Sequence, residues 1–269
     1  MRVGRSTAGR DFVEALARGI SVLTAFSPMH MEMTVTEVAE RTGLARPTAR
    51  RLLLTLEELG YLRSDDGRFS LTPKVLEIGT ATIAAQGLWD IARPHMVGLV
   101  SHTLESSSMS QLDGSDVIYV ARVPVPKIIA VAVSIGTRFP AVATSMGRVL
   151  LADLDESELT KALAAPSISA VVPVTAPSRA ELDDSLEVVR EQGWALADEI
   201  LSMGVRSVAA PVRNSDGRAV AALNVTVHAA ETSVDELISD HLPLLLETAD
   251  AITADWAALD RLPVAEAAR

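Results

Sequence analysis

Residues 34–60 read TVTEVAERTGLARPTARRLLLTLEELG, and this stretch decides the fold of the amino-terminal part of the chain. Thr34 and Glu37 have the spacing of a capping box, which predicts a short helix that ends at Gly43. Pro47 suits the first turn of a second helix, because the N–H that proline lacks would be unpaired there anyway. Leucines then recur at helical spacing up to the final glycine. The stretch therefore predicts two helices joined by a tight turn.

A further helix and a hairpin flank this pair. Two strands, Tyr61–Ser64 and Arg68–Leu71, surround an Asp-Asp-Gly turn. Before the pair, Asp11–Phe26 has apolar residues at helical spacing, which predicts a helix with one buried face. The residues of that face are Phe12, Leu16, Ile20 and Leu23. Helix, short helix, tight turn, helix and hairpin is the element order of a winged helix-turn-helix.

The helix that follows the tight turn has one apolar face and one basic face. Its predicted inner face consists of Ala49, Leu52, Leu53, Leu56 and Leu59. Arg50 and Arg51 fall on the opposite side, where guanidinium groups can reach guanine edges or phosphates. An isolated arginine pair is usually only a solvated surface, but the surrounding elements favour DNA binding here. The predicted DNA contacts are Arg46, Pro47, Thr48, Arg50, Arg51, Leu54, Arg63 and Arg68.

Length, charge and cysteine content limit the class of protein. A chain of 269 residues, 48% of them hydrophobic, favours two domains with separate cores. The net charge is −11, but residues 1–80 hold 11 basic and 10 acidic residues, so the acidic excess lies in the remainder. The chain has no cysteine, and no apolar run reaches the ~18 residues of a membrane span. We therefore expect a cytoplasmic protein without disulfide bonds.

The remainder of the sequence mixes strands and helices. The predicted strands are Met109–Leu112, Val117–Val123, Ile128–Ser134, Trp194–Asp198, Arg206–Val212 and Ala219–His228. The predicted helices are Asp90–Glu105, Gly147–Asp153, Glu156–Ala164, Arg179–Gln192 and a last one from Ser233 to about Leu259, kinked or interrupted at Pro243. This pattern predicts an α+β fold with a mainly antiparallel sheet flanked by helices. The predicted segments are a disordered tail (1–10), a winged helix-turn-helix domain (11–72), a linker helix (73–89), a second domain (90–260) and a second tail (261–269).

Several stretches of both domains carry a family resemblance. They are Thr36–Leu44, Thr48–Leu56, Gly136–Pro140, Thr144–Ala152 and Gly204–Val212. Together they resemble the IclR family of bacterial transcriptional regulators, and the similarity runs from about Asp11 to about Leu259. A narrower similarity, to the branch that controls β-ketoadipate and protocatechuate pathway genes (PcaR/PcaU/PobR-like), is carried by Asp11–Gly19, Tyr119–Pro124 and Ala221–Val225.

This resemblance implies a function. It implies a ligand-responsive regulator with a GAF-like effector-binding domain, double-stranded operator DNA as partner, and a homodimer or homotetramer. In the narrower branch, the effector is a small aromatic or dicarboxylic acid such as protocatechuate, 4-hydroxybenzoate or β-ketoadipate, and the genes serve aromatic-acid catabolism. The alternative is an IclR-type regulator that senses an unrelated metabolite, a metal or a partner protein.

The same resemblance also implies an effector site. It places Thr144, Ser145, Met146, Ser207 and Asn224 around the ligand, and Asp198 stands near the position of an acidic ligand contact in some members. Alternation along Ala219–His228 puts Thr226 on the same face of the strand as Asn224. The alternative to a ligand-binding role is that this is an ordinary solvated sheet face. Backbone N–H groups at the start of the helix near Gly147 suit a carboxylate.

Further candidates for the effector site follow from side-chain chemistry. Arg122 and Arg138 are able to pair with the carboxylate of an organic acid, although either also fits a structural role. The candidate apolar walls are Ile128, Val131, Phe139 and Met146.

Catalytic motifs are absent from the sequence. Its five histidines show no metal-ligand pairing, and no nucleophile elbow, Walker loop or dinucleotide fingerprint occurs. His102 and His228 are the one pair that the fold could bring together at a metal. We expect no enzyme activity, no cofactor and no metal, with turnover of an aromatic acid as the competing hypothesis.

Overall fold

A computed structural model of the protein describes residues 11–27, 29–78, 87–125 and 133–260. The chain divides into two compact units, Met1–Gln86 and Gly87–Arg269. Each unit has its own hydrophobic core. Among the helices within the described ranges, none combines the length and apolar character needed to cross a bilayer.

The first unit is a winged helix-turn-helix, as predicted. Its helices are α1 (Glu14–Thr24), α2 (Val35–Thr42) and α3 (Arg46–Glu58), and its strands are β1 (Glu32–Thr34), β2 (Leu62–Asp65) and β3 (Arg68–Leu71). The strands form an antiparallel sheet in the order β1-β3-β2. The sequence did not reveal β1, because three residues are too few to show an alternating pattern. After β3, a 3₁₀ turn occupies Pro73–Val75, and residues 79–86 of the predicted linker helix lie outside the described residues.

The tight turn between α2 and α3 is defined by local hydrogen bonds. The Thr34 hydroxyl accepts the Glu37 N–H at 3.3 Å, and a Glu37 carboxylate oxygen accepts the Thr34 N–H at 2.7 Å. These two bonds satisfy N–H groups at the start of α2 that would otherwise be unpaired. Gly43 ends α2 in the left-handed conformation, at φ 68°, which glycine adopts without steric cost. The predicted capping box and helix end are both confirmed.

The core of the first unit differs from the predicted inner faces of two helices, α3 and α1. Ala49, Leu53 and Leu56 of α3 are buried as expected, but Leu59 is 53% exposed because it follows the last helical turn. In α1, Val22 and, just beyond the helix, Phe26 are buried in the core, and Leu23 packs against it.

The predicted stripe of α1 was wrong for three of its four residues. Phe12, Leu16 and Ile20 are each about half exposed or more, at 49%, 63% and 52%. Only the carboxyl-terminal end of α1 packs on the unit's core, so a second apolar face of this helix remains uncovered within the described residues.

The second unit is a six-stranded antiparallel sheet with helices on both faces. Its strands are β4 (Ser106–Asp113), β5 (Asp116–Val123), β6 (Arg138–Pro140), β7 (Ala195–Asp198), β8 (Val205–Arg213) and β9 (Ala219–His228). They lie in the order β6-β5-β4-β9-β8-β7. The helices are α4 (Leu88–Thr103), α5 (Ser145–Ala152), α6 (Glu156–Ala164), α7 (Arg179–Gln192) and α8 (Leu242–Asp260). This arrangement confirms the predicted α+β class and mainly antiparallel sheet.

The two faces of this sheet belong to different cores. Leu223, Val225 and Val227 of β9 lie in the core that α4 and α8 close. Ala222, the neighbour of Leu223, lies in the other core, with residues of α5 and α7. Because both faces are covered, the alternative of a solvated face along β9 does not hold.

Two further elements depart from the prediction. The predicted strand Ile128–Ser134 lies largely outside the described residues, and β6 begins later, at Arg138. Ahead of Pro243, the backbone forms a π-helical turn over Leu237–His241 and then continues as α8. A wider turn accommodates a proline that cannot donate a backbone hydrogen bond, so the helix continues past it.

We predict that Gly147→Ala destabilises the second unit. A Cβ at Gly147 would lie 2.1 Å from the backbone oxygen of Ala141, which has no flexible side chain to move away. We expect the free energy of unfolding to fall by about 3 kcal/mol, as for other overpacked cores. Chemical denaturation measures it.

The matched control is Gly98→Ala, in the interior of α4, where nothing lies within 4 Å of the added Cβ. This variant should be neutral or more stable by up to about 1 kcal/mol, because alanine favours helix. Equal stability of Gly147→Ala and the wild type would contradict the close approach of α5 to Ala141.

Candidate DNA-reading and effector sites

The outer face of α3 carries the predicted DNA-contacting residues. Arg46, Pro47, Arg50, Arg51 and Leu54 are all exposed, and Thr48 is half-buried. Within the described residues, the three arginines of α3 make no hydrogen bond or ion pair through their side chains. Three uncompensated positive charges on one exposed helix face suit a polyanion.

The wing places the other two predicted arginines beside its turn. Arg63 donates from Nε to the Ser70 hydroxyl at 3.1 Å, across the hairpin. Arg68 lies 3.9 Å from the Glu37 carboxylate and is half exposed. A carboxylate oxygen of Glu57 on α3 accepts both the N–H and the hydroxyl of Ser64, which ties the wing to the helix. No motif in the sequence indicates this last contact.

A cavity of about 240 Å³ lies on the α5 side of the large sheet. Its polar lining consists of Glu105, Ser106, Tyr119, Arg122, Thr144, Ser145, Ser202, Ser207, Asn224, Thr226 and His228. Its apolar lining includes Val125, Val133, Phe139, Ala143, Ala197, Ile200, Leu201 and Val227. The structure thus brings together seven of the predicted effector residues: Arg122, Phe139, Thr144, Ser145, Ser207, Asn224 and Thr226.

Arg122 is the cation of the cavity wall. Its guanidinium donates to the Ser108 hydroxyl at 3.2 Å and has no carboxylate partner in the described part of the chain. Burial lowers the pKa of the guanidinium below its ordinary value, but arginine remains charged at neutral pH. A half-buried charge without a counter-ion is costly, so this group suits an anionic ligand.

Hydroxyl groups line the end of the cavity at α5. Ser145 and Ser207 share a hydrogen bond of 2.8 Å between their hydroxyls. The Thr144 hydroxyl caps α5 by accepting the Gly147 N–H at 2.9 Å. This end therefore offers neutral donors and acceptors to a ligand.

Asn224 has a structural role in addition to its place in the cavity wall. Its Oδ1 accepts the Ser108 N–H at 2.9 Å, and its Nδ2 donates to the Thr226 hydroxyl at 3.0 Å. Replacing Asn224 would leave a buried backbone N–H unpaired, so a loss of effector response in such a variant would not by itself show ligand contact.

The structure places the other predicted effector residues elsewhere. Met146 is fully buried in the core, because one helical step turns it away from Ser145. Asp198 alternates with the cavity residue Ala197 and pairs with Arg206 at 2.6 Å. Arg138 forms an ion pair with Asp113 and does not line the cavity. Ile128 and Val131 lie outside the described residues.

Sequence reasoning missed several cavity residues. Tyr119, Glu105 and the segment 200–205 all line the cavity. The segment connects β7 to β8 and has no periodic pattern. Tyr119 carried a usable signal, since a buried tyrosine normally needs a partner for its hydroxyl.

Comparison with known proteins identifies the family. Residues 15–66 match the family model described as the IclR helix-turn-helix domain. Residues 80–254 match the model described as bacterial transcriptional regulator IclR C-terminal. The chain belongs to the IclR family.

Two relatives are named as regulators of particular genes. The Pca regulon regulatory protein of Pseudomonas putida is 37% identical over 246 residues, which cover 91% of this chain and 84% of the relative. The p-hydroxybenzoate hydroxylase transcriptional activator of Acinetobacter baylyi is 34% identical over 247 residues, covering 90% and 91%. These matches confirm the predicted branch of the family.

Solved IclR-family structures have the same fold. A transcriptional regulator from Rhodococcus sp. RHA1 is 45% identical with a TM-score of 0.78, covering 92% of this chain and all of that one. An IclR homolog from Microbacterium hydrocarbonoxydans, solved with 4-hydroxybenzoate, is 25% identical with a TM-score of 0.78, covering 91% and 99%. The protein is thus a ligand-responsive transcriptional regulator of the IclR family.

Proposed function

We propose that this regulator controls genes of aromatic-acid catabolism and responds to a small aromatic or dicarboxylic acid. The observation that carries the proposal is the cavity-facing Arg122 guanidinium, which has no carboxylate partner in the described chain. An acid that enters the cavity would supply the missing negative charge. The two relatives named for the Pca regulon and p-hydroxybenzoate hydroxylase support the choice of pathway.

The shape of the cavity supports an aromatic effector in particular. The rings of Phe139 and Tyr119 meet edge to face, with centroids 5.4 Å apart, and form part of the wall. Val133, Ala143 and Leu201 add apolar surface to the lining. A flat ring with a carboxylate at one end and a hydroxyl at the other suits all three: the carboxylate pairs with Arg122, the ring contacts the apolar lining, and the hydroxyl bonds to Ser145.

In the proposed mechanism, residues 11–72 bind operator DNA, residues 73–89 link the domains, and residues 90–260 bind the effector. Arg46, Arg50 and Arg51 contact the major groove and its phosphates, and Arg63 and Arg68 grip the backbone beside the wing. Effector binding shifts the population between DNA-binding and non-binding arrangements of paired subunits. Such a regulator acts in the cytoplasm, where bacterial operators lie.

Part of the proposal is a homodimer or homotetramer. Leu16 and Ile20 on α1, with Phe12 and Val13 just before it, are all at least 49% exposed. A contiguous apolar patch on one helix marks a contact surface. A second copy of α1 would cover it, which pairs two winged domains for two operator half-sites.

We predict that Arg50→Ala weakens binding to the specific operator by about 1–3 kcal/mol, because a base-reading arginine is lost. Fluorescence anisotropy with operator and random duplexes measures the effect at fixed salt. Arg93→Ala, which removes an exposed charge from α4, is the matched control and should bind both duplexes normally. Equal loss on both duplexes would show that Arg50 contacts only phosphates.

We also predict that Arg122→Gln weakens binding of 4-hydroxybenzoate or protocatechuate at least about ten-fold, as expected for a lost charged hydrogen bond. Isothermal titration of the full chain measures the dissociation constant. Arg138→Gln is the matched control, since Arg138 pairs with Asp113 away from the cavity. A larger loss in Arg138→Gln than in Arg122→Gln would contradict the proposed site.

A further inference from the structure

An irregularity in β5 determines which side chains reach the cavity. Along the pairing of β4 with β5, Met109 lies opposite Ala121, but the next residue, Ser110, lies opposite Tyr119. Val120 is therefore an extra residue in β5, and the pairing contains a β-bulge.

This bulge changes the face on which the later residues of β5 lie. Before it, Val117 and Tyr119 belong to the core on the cavity side of the sheet. After it, Ala121 belongs to the opposite core, and Val120 also packs there. In a regular strand, residues three apart face opposite sides. The extra residue instead puts Tyr119 and Arg122 on the same wall of the cavity.

The Tyr119 hydroxyl has no hydrogen-bond partner among the described residues. The side chain is only 6% exposed, and its contact with Phe139 holds the ring in place. Burial raises the pKa of the phenol, although the positive charge of Arg122 opposes the rise. The hydroxyl therefore stays protonated at neutral pH and remains a donor.

A single ligand group can satisfy both residues. Tyr119 offers one donor that has no hydrogen bond in the described chain, on the cavity wall, and Arg122 offers a positive charge that lacks a counter-ion there. Glu105, the one acidic residue on the described wall, already has an interaction of its own. A carboxylate has two acceptor oxygens, one for each of the two residues.

We propose that Tyr119 is a specificity-determining residue of the effector cavity and that its hydroxyl donates to the same carboxylate that Arg122 pairs with. This inference rests on the proposed function. It also orients the ligand: the carboxylate lies at β5, and the ring hydroxyl of a hydroxybenzoate lies at the Ser145–Ser207 pair. The bulge at Val120 is what makes this two-point contact possible.

Titrations of Tyr119→Phe with 4-hydroxybenzoate and with benzoate test the inference, because benzoate keeps the carboxylate but lacks the ring hydroxyl. Both acids should bind at least about ten-fold more weakly, and by the same factor. Tyr61→Phe, which alters the other tyrosine of the chain, should leave both affinities unchanged. Thermal unfolding checks that each variant is folded.

Two outcomes would overturn this inference and leave the proposed function intact. Unchanged affinities in Tyr119→Phe would show that the hydroxyl makes no contact with the ligand. A loss confined to 4-hydroxybenzoate would show that Tyr119 contacts the ring hydroxyl. If the wild type bound neither acid, the proposed function would fail, and this inference with it.

A double-mutant cycle gives a second readout. If Tyr119 and Arg122 hold one carboxylate, the double variant Tyr119→Phe with Arg122→Gln should lose less than the product of the two single losses. Losses that multiply fully would mean that the two side chains act on separate groups, and the shared contact would be refuted.

Discussion

The structure of the second unit depends on one constraint, which is the half-buried charge that the sheet holds at Arg122. One face of the sheet is sealed by α4 and α8, where Leu223 and Val225 are fully buried. The opposite face, under α5, does not close in the same way, because Arg122 lies there with a charge that has no counter-ion in the described chain. The cavity is thus a consequence of polar side chains placed on one face of an otherwise apolar sheet.

Charge distribution gives the two units different roles. The sequence is acidic as a whole, at −11, yet α3 presents three arginines without partners in the described chain. In the second unit most described arginines are paired or bonded, as Arg206 is with Asp198 and Arg213 with Asp153. Arg122, like Arg148 and Arg190, contacts only a neutral group, but of these three it is the one that lines the cavity. Cations without a carboxylate partner therefore lie on both proposed binding surfaces, one for phosphates and bases and one for a carboxylate.

Local chemistry made much of the fold predictable. The capping box at Thr34 and the left-handed Gly43 depend only on neighbouring residues, so α2 and its end were predicted correctly. Periodicity was less informative about α1, because it shows that a face is apolar but not what covers it. Phe12 and Leu16 were assigned to the core for that reason, and they are exposed.

The effector site was predictable to the extent that strand alternation held. Alternation and family resemblance placed Ser207, Asn224 and Thr226 on the cavity wall correctly. Asp198 lies on the other side of its strand from Ala197, and the bulge at Val120 breaks the alternation that would have separated Tyr119 from Arg122. A bulge depends on the pairing of two distant strands, so β5 alone gives no sign of it.

Thermal stability of the wild-type protein in the presence of ligands tests whether the cavity binds an organic acid. The panel contains protocatechuate, 4-hydroxybenzoate, cis,cis-muconate and β-ketoadipate, with catechol as a ring that lacks a carboxylate. A ligand specific for the folded state adds about 2.7 kcal/mol at ~100 times its dissociation constant, which raises the unfolding midpoint measurably. We expect at least one of the acids to raise the unfolding midpoint and catechol to leave it unchanged. A shift with catechol alone, or with none of the five, would contradict a cavity built around an unpaired cation.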